Sequence, residues 1–383
     1  DPEDAERERA LSDGKPWRYV AVVDRSRGDS WRWRAARVRR RVGLELHRRA
    51  GYGNVWQLGY CAPEMLALCR RRKPDLAIVH LEQALWVGRE LLRRGVNVGI
   101  DVEDWYSEDQ LPADRRDRPV ALLRKWEREL LLACRHKTTT SHALSEALAA
   151  EYGCEPPAVV YNGFPLRERE TLDRRRERSP RGPVSLHWYS QTIGPGRGLE
   201  VLVDALEDRP VEVHLRGTLC PGYDETLRRR AAGGMRERIF FHPQVPHHEL
   251  LARVAEHDVG VAAEIGYCRN KDLTISNKIL HYLLAGVPVI ASDTAGQREV
   301  AELCPEAVRL YRQSDPKSLA RALDELLSDR DGLRRRRAAA WEAAERHFCW
   351  ERSEPVLLES VERALSSAPT RSLPSGRVRC AAS

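Results

Sequence analysis

The stretch TISNKILHYLLAGVPVIASDTAGQREV, residues 274–300, is the most regular part of the sequence. Its first half repeats apolar residues at helical spacing, and Ser276 stands where a helix N-cap is expected. Gly286 ends that pattern, and PVIASD (288–293) is the short apolar run of a buried strand. A helix that leads directly into a buried strand is typical of α/β sheets.

The same alternation of apolar runs and amphipathic helices extends over most of the chain and predicts parallel sheets. The predicted strands of the second half are 184–190, 211–217, 239–245, 259–264, 288–293 and 308–311. The predicted strands of the first half are 18–24, 54–60, 76–81, 97–104, 137–141 and 158–163. We therefore expect an α/β protein with two doubly wound halves of six strands each.

The segment TLDRRRERSPRGP (171–183) is charged, poor in apolar residues and rich in helix breakers, which predicts a linker. We expect a first domain over 1–175 and a second over 183–348. A helix at 349–366 is predicted to pack back on the first domain, and 367–383 is predicted to be a disordered tail. In doubly wound sheets ligands sit beyond the carboxyl ends of the strands, so two facing domains predict a site in a cleft.

One candidate phosphate site lies in HWYSQTIGPGRGLEVLVDAL (187–206), where a strand, a glycine-rich loop and a helix follow one another. Gly194 and Gly196 allow close approach of the backbone to a phosphate, and the helix N-terminus supplies N–H donors. Arg197 adds a charged donor. An ordinary strand–helix turn that needs glycine is the alternative.

Two further cations are candidates for the same ligand. Arg216 is predicted at a strand end, where it suits a diphosphate, although a surface ion pair is the alternative. Lys278 lies in the first turn of a predicted helix, where a cation opposes the helix dipole. A charge placed against the dipole indicates a ligand, here a phosphate or a sugar hydroxyl.

The first half offers a different set of candidates at its predicted strand ends, namely His80 and the acidic cluster Asp101, Glu103 and Asp104. Glu103 or Asp104 is placed to orient an acceptor hydroxyl or amine, with capping of the next helix as the alternative. The Arg- and Trp-rich segment 25–34 suits an aromatic or anionic acceptor, or is simply the start of a surface helix.

Composition narrows the class of protein. The net charge is +7 and the basic residues are mostly Arg, which we expect to be spread over solvated helix faces, with affinity for anionic ligands as the alternative. Nucleic acid is not an expected partner, because no zinc-finger or RNP-like motif occurs. Nine cysteines without a CxxC pair indicate reduced thiols and no metal centre, and the charged opening is unlike a secretory signal. We therefore expect a cytoplasmic location.

The segment 274–300 resembles the donor-site helix of the family 4 retaining glycosyltransferases, which have the GT-B fold of two Rossmann-like domains facing across a cleft. TSHALSEALAAEYGCEPPAVVYNGFPL (140–166) is similar to a second region of that family. FHPQVPHHELL (241–251), which contains Val245, is similar to the loop that holds the donor base through backbone groups. The resemblance covers roughly 75–367.

This resemblance implies a nucleotide-sugar donor bound by the second domain, an acceptor bound mainly by the first, and a retained anomeric configuration. It implies no metal or other cofactor, since cationic side chains stabilise the leaving diphosphate. Arg197, Arg216 and Lys278 would surround that diphosphate, and Ser276 and Asn277 belong to the same donor motif.

The sequence also departs from the family pattern. Many members carry two Glu residues separated by seven others, and here the register of the second Glu holds His281, with Leu273 in place of the first. Glu264 remains a candidate carboxylate because it ends a predicted strand, while His281 either bonds ribose or packs as a helix histidine. Asp272 lies at the family spacing from Glu264, but in a different register.

We therefore predict a retaining glycosyltransferase. Its acceptor is either a soluble small molecule, such as a natural product or a nucleotide, or a lipid-linked or polysaccharide acceptor. Segment 31–50, which is rich in Arg and has several apolar residues, leaves peripheral membrane contact open. The alternatives are a nucleotide-sugar epimerase and a non-catalytic nucleotide-sugar-binding protein of the same architecture.

Overall fold

The computed structural model describes most of the chain and divides into two compact units. The first unit comprises Asp1–Thr138, Leu148–Pro157 and Glu359–Ser383, and the second comprises Thr139–Ala147 and Ala158–Leu358. The described residues are 14–24, 30–110, 115, 118–172, 182–207, 209–329 and 331–366.

A four-stranded sheet begins in the first unit, with strand order β1-β2-β3-β4 and with β1 and β2 parallel. Its strands are β1 (Ala77–Val79), β2 (Val98–Val102), β3 (Lys137–Thr139) and β4 (Ala158–Val159). The accompanying helices are α1 (Trp31–Ala50), α2 (Ala62–Arg72), α3 (Glu82–Leu92), α4 (Val120–Ala133) and α5 (His142–Tyr152), with 3-10 turns at Val55–Gln57 and Tyr106–Glu108.

Two strands predicted for the first half do not form, so the prediction of six strands there is wrong for the described residues. Segment 18–24 contains no strand, and its Tyr19 is 49% exposed. Segment 54–60 instead begins a 3-10 turn with a reciprocal cap. The Asn54 side chain accepts from the backbone N of Trp56 at 3.0 Å, and the Gln57 side chain accepts from the backbone N of Asn54 at 3.2 Å. This local cap satisfies the backbone groups that a strand would have paired.

The second unit is built on a six-stranded sheet, which confirms the six strands predicted for the second half. Its strands are β5 (Val184–Ile193), β6 (Val211–Leu219), β7 (Ile239–His242), β8 (Val259–Ala262), β9 (Val289–Ser292) and β10 (Val308–Tyr311). Its helices are α6 (Leu199–Leu206), α7 (Tyr223–Arg230), α8 (His247–Ala255), α9 (Arg269–Leu273), α10 (Asn277–Leu284), α11 (Ala295–Leu303), α12 (Pro316–Ser328), α13 (Gly332–Ala343) and the start of α14 (Trp350–Ser366), with shorter turns at Leu166–Thr171, Gly233–Arg238 and Ala344–Phe348.

The strand order of this sheet fixes where a ligand site can form. The order is β10-β9-β8-β5-β6-β7, so the winding reverses between the neighbours β5 and β8. These two strands are parallel, with Leu186 opposite Val259. In doubly wound sheets the crevice beyond the carboxyl ends of the strands at such a reversal is where ligands bind.

Strand β5 buries both of its faces, as expected of a central parallel strand. Leu186 and Trp188 point into the core built with α6 and α12. On the opposite face, His187 is fully buried, its ring stacks on that of His257 with centroids 4.4 Å apart, and its carbonyl accepts from the Tyr282 hydroxyl at 2.7 Å. The face toward α10 is therefore packed with imidazole and phenol rings.

The boundary between the units lies earlier in the chain than the predicted 175. Residues Tyr161, Phe164 and Leu166 pack against the apolar core of the second unit. At the other end, residues 359–366 of α14 belong to the first unit, where Asn97 Nδ2 donates to the carbonyl of Ala364 at 2.8 Å. The predicted linker 171–183 lies mostly, and the predicted tail 367–383 entirely, outside the described residues.

Histidine burial predicts a loss of stability in acid. Burial, together with Arg216 and neighbouring histidines, lowers the pKa of His187 well below its ordinary value. The unfolded chain binds a proton there below about pH 6.5, whereas the folded chain does not, so stability falls as the pH drops below that value. We expect His187→Phe to reduce this loss by about 1.4 kcal/mol per pH unit, measured as a shallower fall of the melting temperature between pH 6.5 and 5. The exposed His248 provides the control as His248→Gln, and an unchanged slope in His187→Phe would contradict the prediction.

Candidate functional site

The predicted glycine loop lies at the reversal of the second sheet. Strand β5 ends at Ile193, and helix α6 begins at Leu199 after the loop Gly194–Gly198. Gly198 has φ +75°, and a Cβ added to it would lie 3.0 Å from the Cβ of Ala263, the residue after β8. The backbone of this loop therefore packs directly against the end of the neighbouring strand.

Glu264 lies beside that loop and binds two side chains that belong to the start of α10. Its Oε1 accepts from Ser276 Oγ at 3.0 Å and from Lys278 Nζ at 3.1 Å. Its backbone N donates to Ser292 Oγ at 2.9 Å. These bonds join the ends of β8 and β9 to the N-terminus of α10, and Oε2 accepts no hydrogen bond from the described residues.

The Glu264–Lys278 pair is mostly shielded from solvent, with side chains 23% and 16% exposed. Burial opposes the charged carboxylate, but the charge and hydrogen bonds of Lys278, with Ser276, outweigh it and hold the pKa of Glu264 below its ordinary value. Lys278 Nζ also lies 5.9 Å from the centroid of the Trp188 ring, in range of a cation–π contact. Glu264 is therefore ionised at neutral pH, and Lys278 is held in place from two sides.

Ser276 occupies the N-cap position of α10, but the expected side-chain cap is absent. Its hydroxyl donates to Glu264 instead, which is a stronger acceptor because it is ionised. The first N–H groups of α10 thus receive no cap from Ser276. Uncapped N–H groups at a helix N-terminus are the donors that anions bind.

Arg216 lies within β6, not at its end, because the strand continues to Leu219. Its Nη1 donates to the carbonyl of Pro243 at 3.0 Å, burial lowers its pKa, and its Nε has no hydrogen-bond partner among the described residues. The following Gln244 donates from Nε2 to the carbonyl of Gln191 at 2.6 Å. Together they anchor the loop that carries Val245 to β5 and β6.

His281 is buried at the second turn of α10. Its Nδ1 lies 3.1 Å from the Tyr189 hydroxyl, and its ring centroid lies 4.5 Å from that of Phe164. Burial lowers the pKa of His281 to about 3, so the ring is neutral at pH 7. These contacts are those of a packed helix histidine, and its contact with ribose stays a prediction.

The remaining donor-site candidates are solvent-exposed. Arg197 follows Gly196, which has φ +74°, in the middle of the glycine loop. Asn277 is the first residue of α10, and its Oδ1 lies 3.5 Å from Asn162 Nδ2. The structure assigns neither of them a ligand.

In the first unit, the predicted residues at the ends of β1 and β2 do come together. His80 Nδ1 lies 2.9 Å from Asp101 Oδ2, and its Nε2 lies 3.0 Å from Glu103 Oε2. Hydrogen bonds to Asp101 and then to Glu103 raise the pKa of His80 to about 10. The imidazole is therefore a cation at neutral pH. Thr138 Oγ1 donates to the other oxygen of Asp101 at 2.8 Å, and Asp104 is half-buried next to the cluster in sequence.

Backbone strain accompanies this cluster. Leu81, directly after His80, has φ +70° and ψ 158°, a region that residues other than glycine rarely enter. Its backbone N donates to the hydroxyl of the buried Tyr106 at 3.0 Å, and this bond helps to hold the conformation. This strained turn fixes the course of the backbone directly after His80.

Sequence reasoning missed several residues that build these sites, above all Ser292, Trp188 and Tyr189. Ser292 is the last residue of an otherwise apolar strand, and a buried hydroxyl in such a place needs a partner. Trp188 and Tyr189 alternate along β5 and so serve opposite faces. Only the folded structure shows that Tyr189 contacts His281 and that the Trp188 ring lies within cation–π range of Lys278, both of them in α10.

Comparison with known proteins gives a family for the chain. A model described as Glycosyltransferase Family 4 matches residues 19–168, and one described as Glycosyl transferases group 1 matches residues 192–329. The fold is the GT-B architecture of two Rossmann-like domains, and both matching models describe glycosyltransferases. The chain belongs to glycosyltransferase family 4.

Two curated relatives are similar over part of their length. One is a D-inositol 3-phosphate glycosyltransferase of Xylanimonas cellulosilytica, 30% identical over 180 residues, which are 46% of this chain and 41% of the relative. The other is a phosphatidyl-myo-inositol mannosyltransferase of Mycobacterium leprae, 33% identical over 183 residues, which are 46% of this chain and 44% of the relative. The chain thus spans less than half the length of either relative.

Solved structures share the fold at low identity. Anabaena Alr3699/HepE in complex with UDP-glucose has a TM-score of 0.64 at 17% identity, over 81% of this chain and 84% of that one. Sucrose-phosphate synthase from Thermosynechococcus elongatus has a TM-score of 0.61 at 19% identity, over 79% and 77%. At these identities the likeness establishes the fold alone.

The packing of the glycine loop predicts different costs for two matched substitutions. Gly196 and Gly198 both have positive φ, but nothing lies within 4 Å of a Cβ added at Gly196. Gly196→Ala should cost about 1–2 kcal/mol of stability from backbone strain alone. Gly198→Ala should cost more, because the new methyl group meets Ala263 beside Glu264. Melting temperatures measure the difference, and equal losses would show that the loop does not pack against β8.

The His80 cluster predicts an imidazolium that persists into alkaline pH. Because its folded pKa lies above that of the unfolded chain, the cluster stabilises fully below about pH 6.5 and loses this effect as the pH rises toward 10. Ring nitrogen shifts in NMR should report a cation through pH 8. Asp101→Asn and Glu103→Gln should each move the titration to lower pH, Asp101→Asn more so. A wild-type ring that titrates near pH 6.5 would contradict the two ion pairs.

Proposed function

We propose that this chain is a retaining glycosyltransferase that moves a sugar from a nucleoside-diphosphate sugar to an acceptor. The observation that carries the proposal is the grouping, at the reversal between β5 and β8, of the glycine loop, Glu264 and the uncapped start of α10 with Lys278. Backbone N–H donors and a fixed cation at a strand-end crevice are what a diphosphate requires.

The donor is bound in parts by elements already in place. Lys278 and the N–H groups of α10 bind the diphosphate, and Arg197 of the glycine loop contacts it from the other side. The loop that carries Val245 holds the base, and Arg216 anchors this loop through the carbonyl of Pro243. The Anabaena neighbour, whose structure is a complex with UDP-glucose, supports a nucleoside-diphosphate sugar as donor.

The reaction breaks the bond between the anomeric carbon and the diphosphate oxygen and forms a bond from that carbon to the acceptor oxygen. In the retaining route the acceptor attacks from the face that the diphosphate leaves, and the acceptor proton passes to the departing phosphate oxygen. Lys278, Arg197 and the helix N-terminus stabilise the negative charge that develops there. These groups take the role that a divalent cation has in metal-dependent transferases, so the proposal includes no metal and no other cofactor.

Glu264 has a second function in this scheme besides orienting Lys278. Its Oε2 is an acceptor for a donor hydroxyl, because both Ser276 and Lys278 bind Oε1. Asp272, at the family spacing from Glu264, is instead hydrogen-bonded by Gln313 Nε2 at 3.3 Å. We therefore propose that the Glu264 carboxylate accepts a hydrogen bond from a hydroxyl of the donor sugar. His281, a neutral ring, stands where the family usually has its second carboxylate.

The acceptor is proposed to meet the first unit at the His80 cluster. Glu103 and Asp104 orient its hydroxyl groups there, and the chain takes either a soluble polyol-like acceptor or a lipid-linked one. The names of the two curated relatives contain an inositol phosphate and a phosphatidylinositol, one of each kind. The family matches favour transfer over epimerisation of the donor.

Ligand-induced thermal shift tests the donor site without knowledge of the acceptor. A nucleoside diphosphate at 100 times its Kd should stabilise the wild type by about 2.7 kcal/mol, and a panel of diphosphates identifies the base. Lys278→Ala should weaken binding about 10- to 100-fold, since it removes a charge-assisted hydrogen bond. Lys317, an exposed lysine in the first turn of α12, gives the matched control Lys317→Ala, which should bind like the wild type.

Because Lys278→Ala leaves Glu264 without its cation, Glu264→Gln/Lys278→Ala tests whether the lost shift reflects the ligand or the unpaired carboxylate. Binding should stay weak in the double variant. If either variant retains the wild-type thermal shift, the phosphate role of Lys278 is wrong. An inverted anomeric centre in the product, read from NMR coupling constants, would contradict the retaining route.

A further inference from the structure

The net charge of helix α1 equals the net charge of the whole protein. Its sequence, WRWRAARVRRRVGLELHRRA, contains eight arginines and one glutamate, a balance of +7, which equals the net charge of the full chain. The remaining residues therefore have as many acidic as basic groups. The net positive charge therefore coincides with one element, although arginines occur along the whole chain.

The inner face of α1 is fixed to the first unit. Ala36 and Gly43 are buried, and a Cβ added to Gly43 would lie 2.6 Å from Asn54 Oδ1. Arg39 pairs with Glu64 at 2.5 Å, and the ring of Trp33 lies 4.9 Å from that of Tyr60. These contacts determine which residues point away from the unit.

Apolar side chains form a stripe along the outward face. Residues four apart lie above one another on a helix, and the stripe runs along such a line. Its members, with their exposed fractions, are Trp31 (74%), Val38 (62%), Val42 (43%) and Leu46 (39%). Apolar residues at this spacing ordinarily face a protein core, and here they face outward.

A row of arginines runs beside the stripe and lines an open groove of about 590 Å³ with Tyr60. The row consists of Arg34, Arg37, Arg41 and Arg48. Neither Arg37 nor Arg41 forms an ion pair within the described part of the chain, and both are exposed.

Aromatic residues continue the apolar stripe at its C-terminal end. Tyr52 is 59% exposed and Trp56 is 38% exposed. With Leu46, Trp86 and Trp126 they line a cavity of about 490 Å³ whose surface is mainly apolar. Tyrosine and tryptophan favour the boundary between water and lipid because each side chain has an apolar ring and a polar group.

We propose that α1 docks the protein on an anionic membrane surface, lying in the plane of the interface. Trp31, Val38 and Val42 enter the boundary between headgroups and acyl chains, and the arginine row binds lipid phosphates. Charge alone would suit any polyanion, but the outward apolar stripe indicates a lipid surface. None of the described helices has the length and apolar content to cross a bilayer, so the contact is peripheral. Helix α1 belongs to the first unit and the donor-site residues to the second, and the vesicle test needs no sugar substrate.

Vesicle sedimentation of the full chain tests the proposal. The protein should pellet with vesicles of phosphatidylcholine containing roughly 30% phosphatidylglycerol, should stay in solution with phosphatidylcholine alone, and should release as salt increases. Arg37→Ala/Arg41→Ala should lower the partition coefficient about 30-fold, and Val38→Ser/Val42→Ser about 10-fold. Arg334→Ala/Arg335→Ala removes two exposed arginines from α13 and should change it little.

Quenching of tryptophan fluorescence by brominated lipid chains provides a second readout of insertion. The wild type should be quenched on anionic vesicles, and Trp31→Phe should lose most of the effect. Melting temperatures near that of the wild type show that the variants are folded. The proposal is overturned if anionic vesicles do not pellet the chain, or if the α13 variant loses as much binding as the α1 variant. A third outcome also overturns it: Val38→Ser/Val42→Ser binds the vesicles as well as the wild type does, and duplex nucleic acid competes with the vesicles for the protein. The surface would then recognise any polyanion and not a lipid surface.

Discussion

The site of the second unit depends on the hydrogen bonds and the ion pair of one ionised carboxylate, that of Glu264. It lies just beyond the end of β8 and accepts from Ser276 and Lys278, while its backbone N donates to Ser292. A buried carboxylate without partners would be costly, so the start of α10 is held against the strand ends by the need to satisfy this charge. The same bonds withdraw Ser276 from capping and point a lysine at the crevice. One charge therefore determines the position of the cation, the state of the helix terminus and the acceptors left for a ligand.

The two halves of the chain were not equally predictable from sequence. In the second half the central strands β8 and β9 are buried at every position and appear as continuous apolar runs. All six strands of that half were predicted within a few residues. In the first half the runs at 18–24 and 54–60 look the same in composition, but Tyr19 is exposed and Asn54 caps a 3-10 turn. Whether an aromatic-rich run pairs in a sheet depends on partners elsewhere in the chain, and this information is absent from the run itself.

Single residues of the site were predictable from their chemistry, whereas their pairing was not. Glu264 stands after an apolar run and Lys278 opposes a helix dipole, and both signals lie in the local sequence. Their ion pair spans fourteen residues and forms because α9 returns the chain to the sheet edge. Arg216 shows the reverse case, since its expected strand end lies inside a longer strand and its guanidinium anchors the loop after β7. A pattern in sequence identifies a functional group, but contacts distant in sequence determine what it bonds.

The ionisation of His80 limits how the proposed reaction can move its proton. A ring held as a cation by Asp101 and Glu103 has no lone pair with which to deprotonate an acceptor hydroxyl at neutral pH. The two carboxylates are themselves occupied by that ring, at 2.9 Å from Asp101 and 3.0 Å from Glu103. No described group of this cluster thus acts as a strong general base. The departing diphosphate, which gains basicity as its bond to the sugar breaks, is the better proton acceptor. In the retaining transfer that we propose, the acceptor and the leaving group share one face of the sugar, and the His80 cluster orients the acceptor.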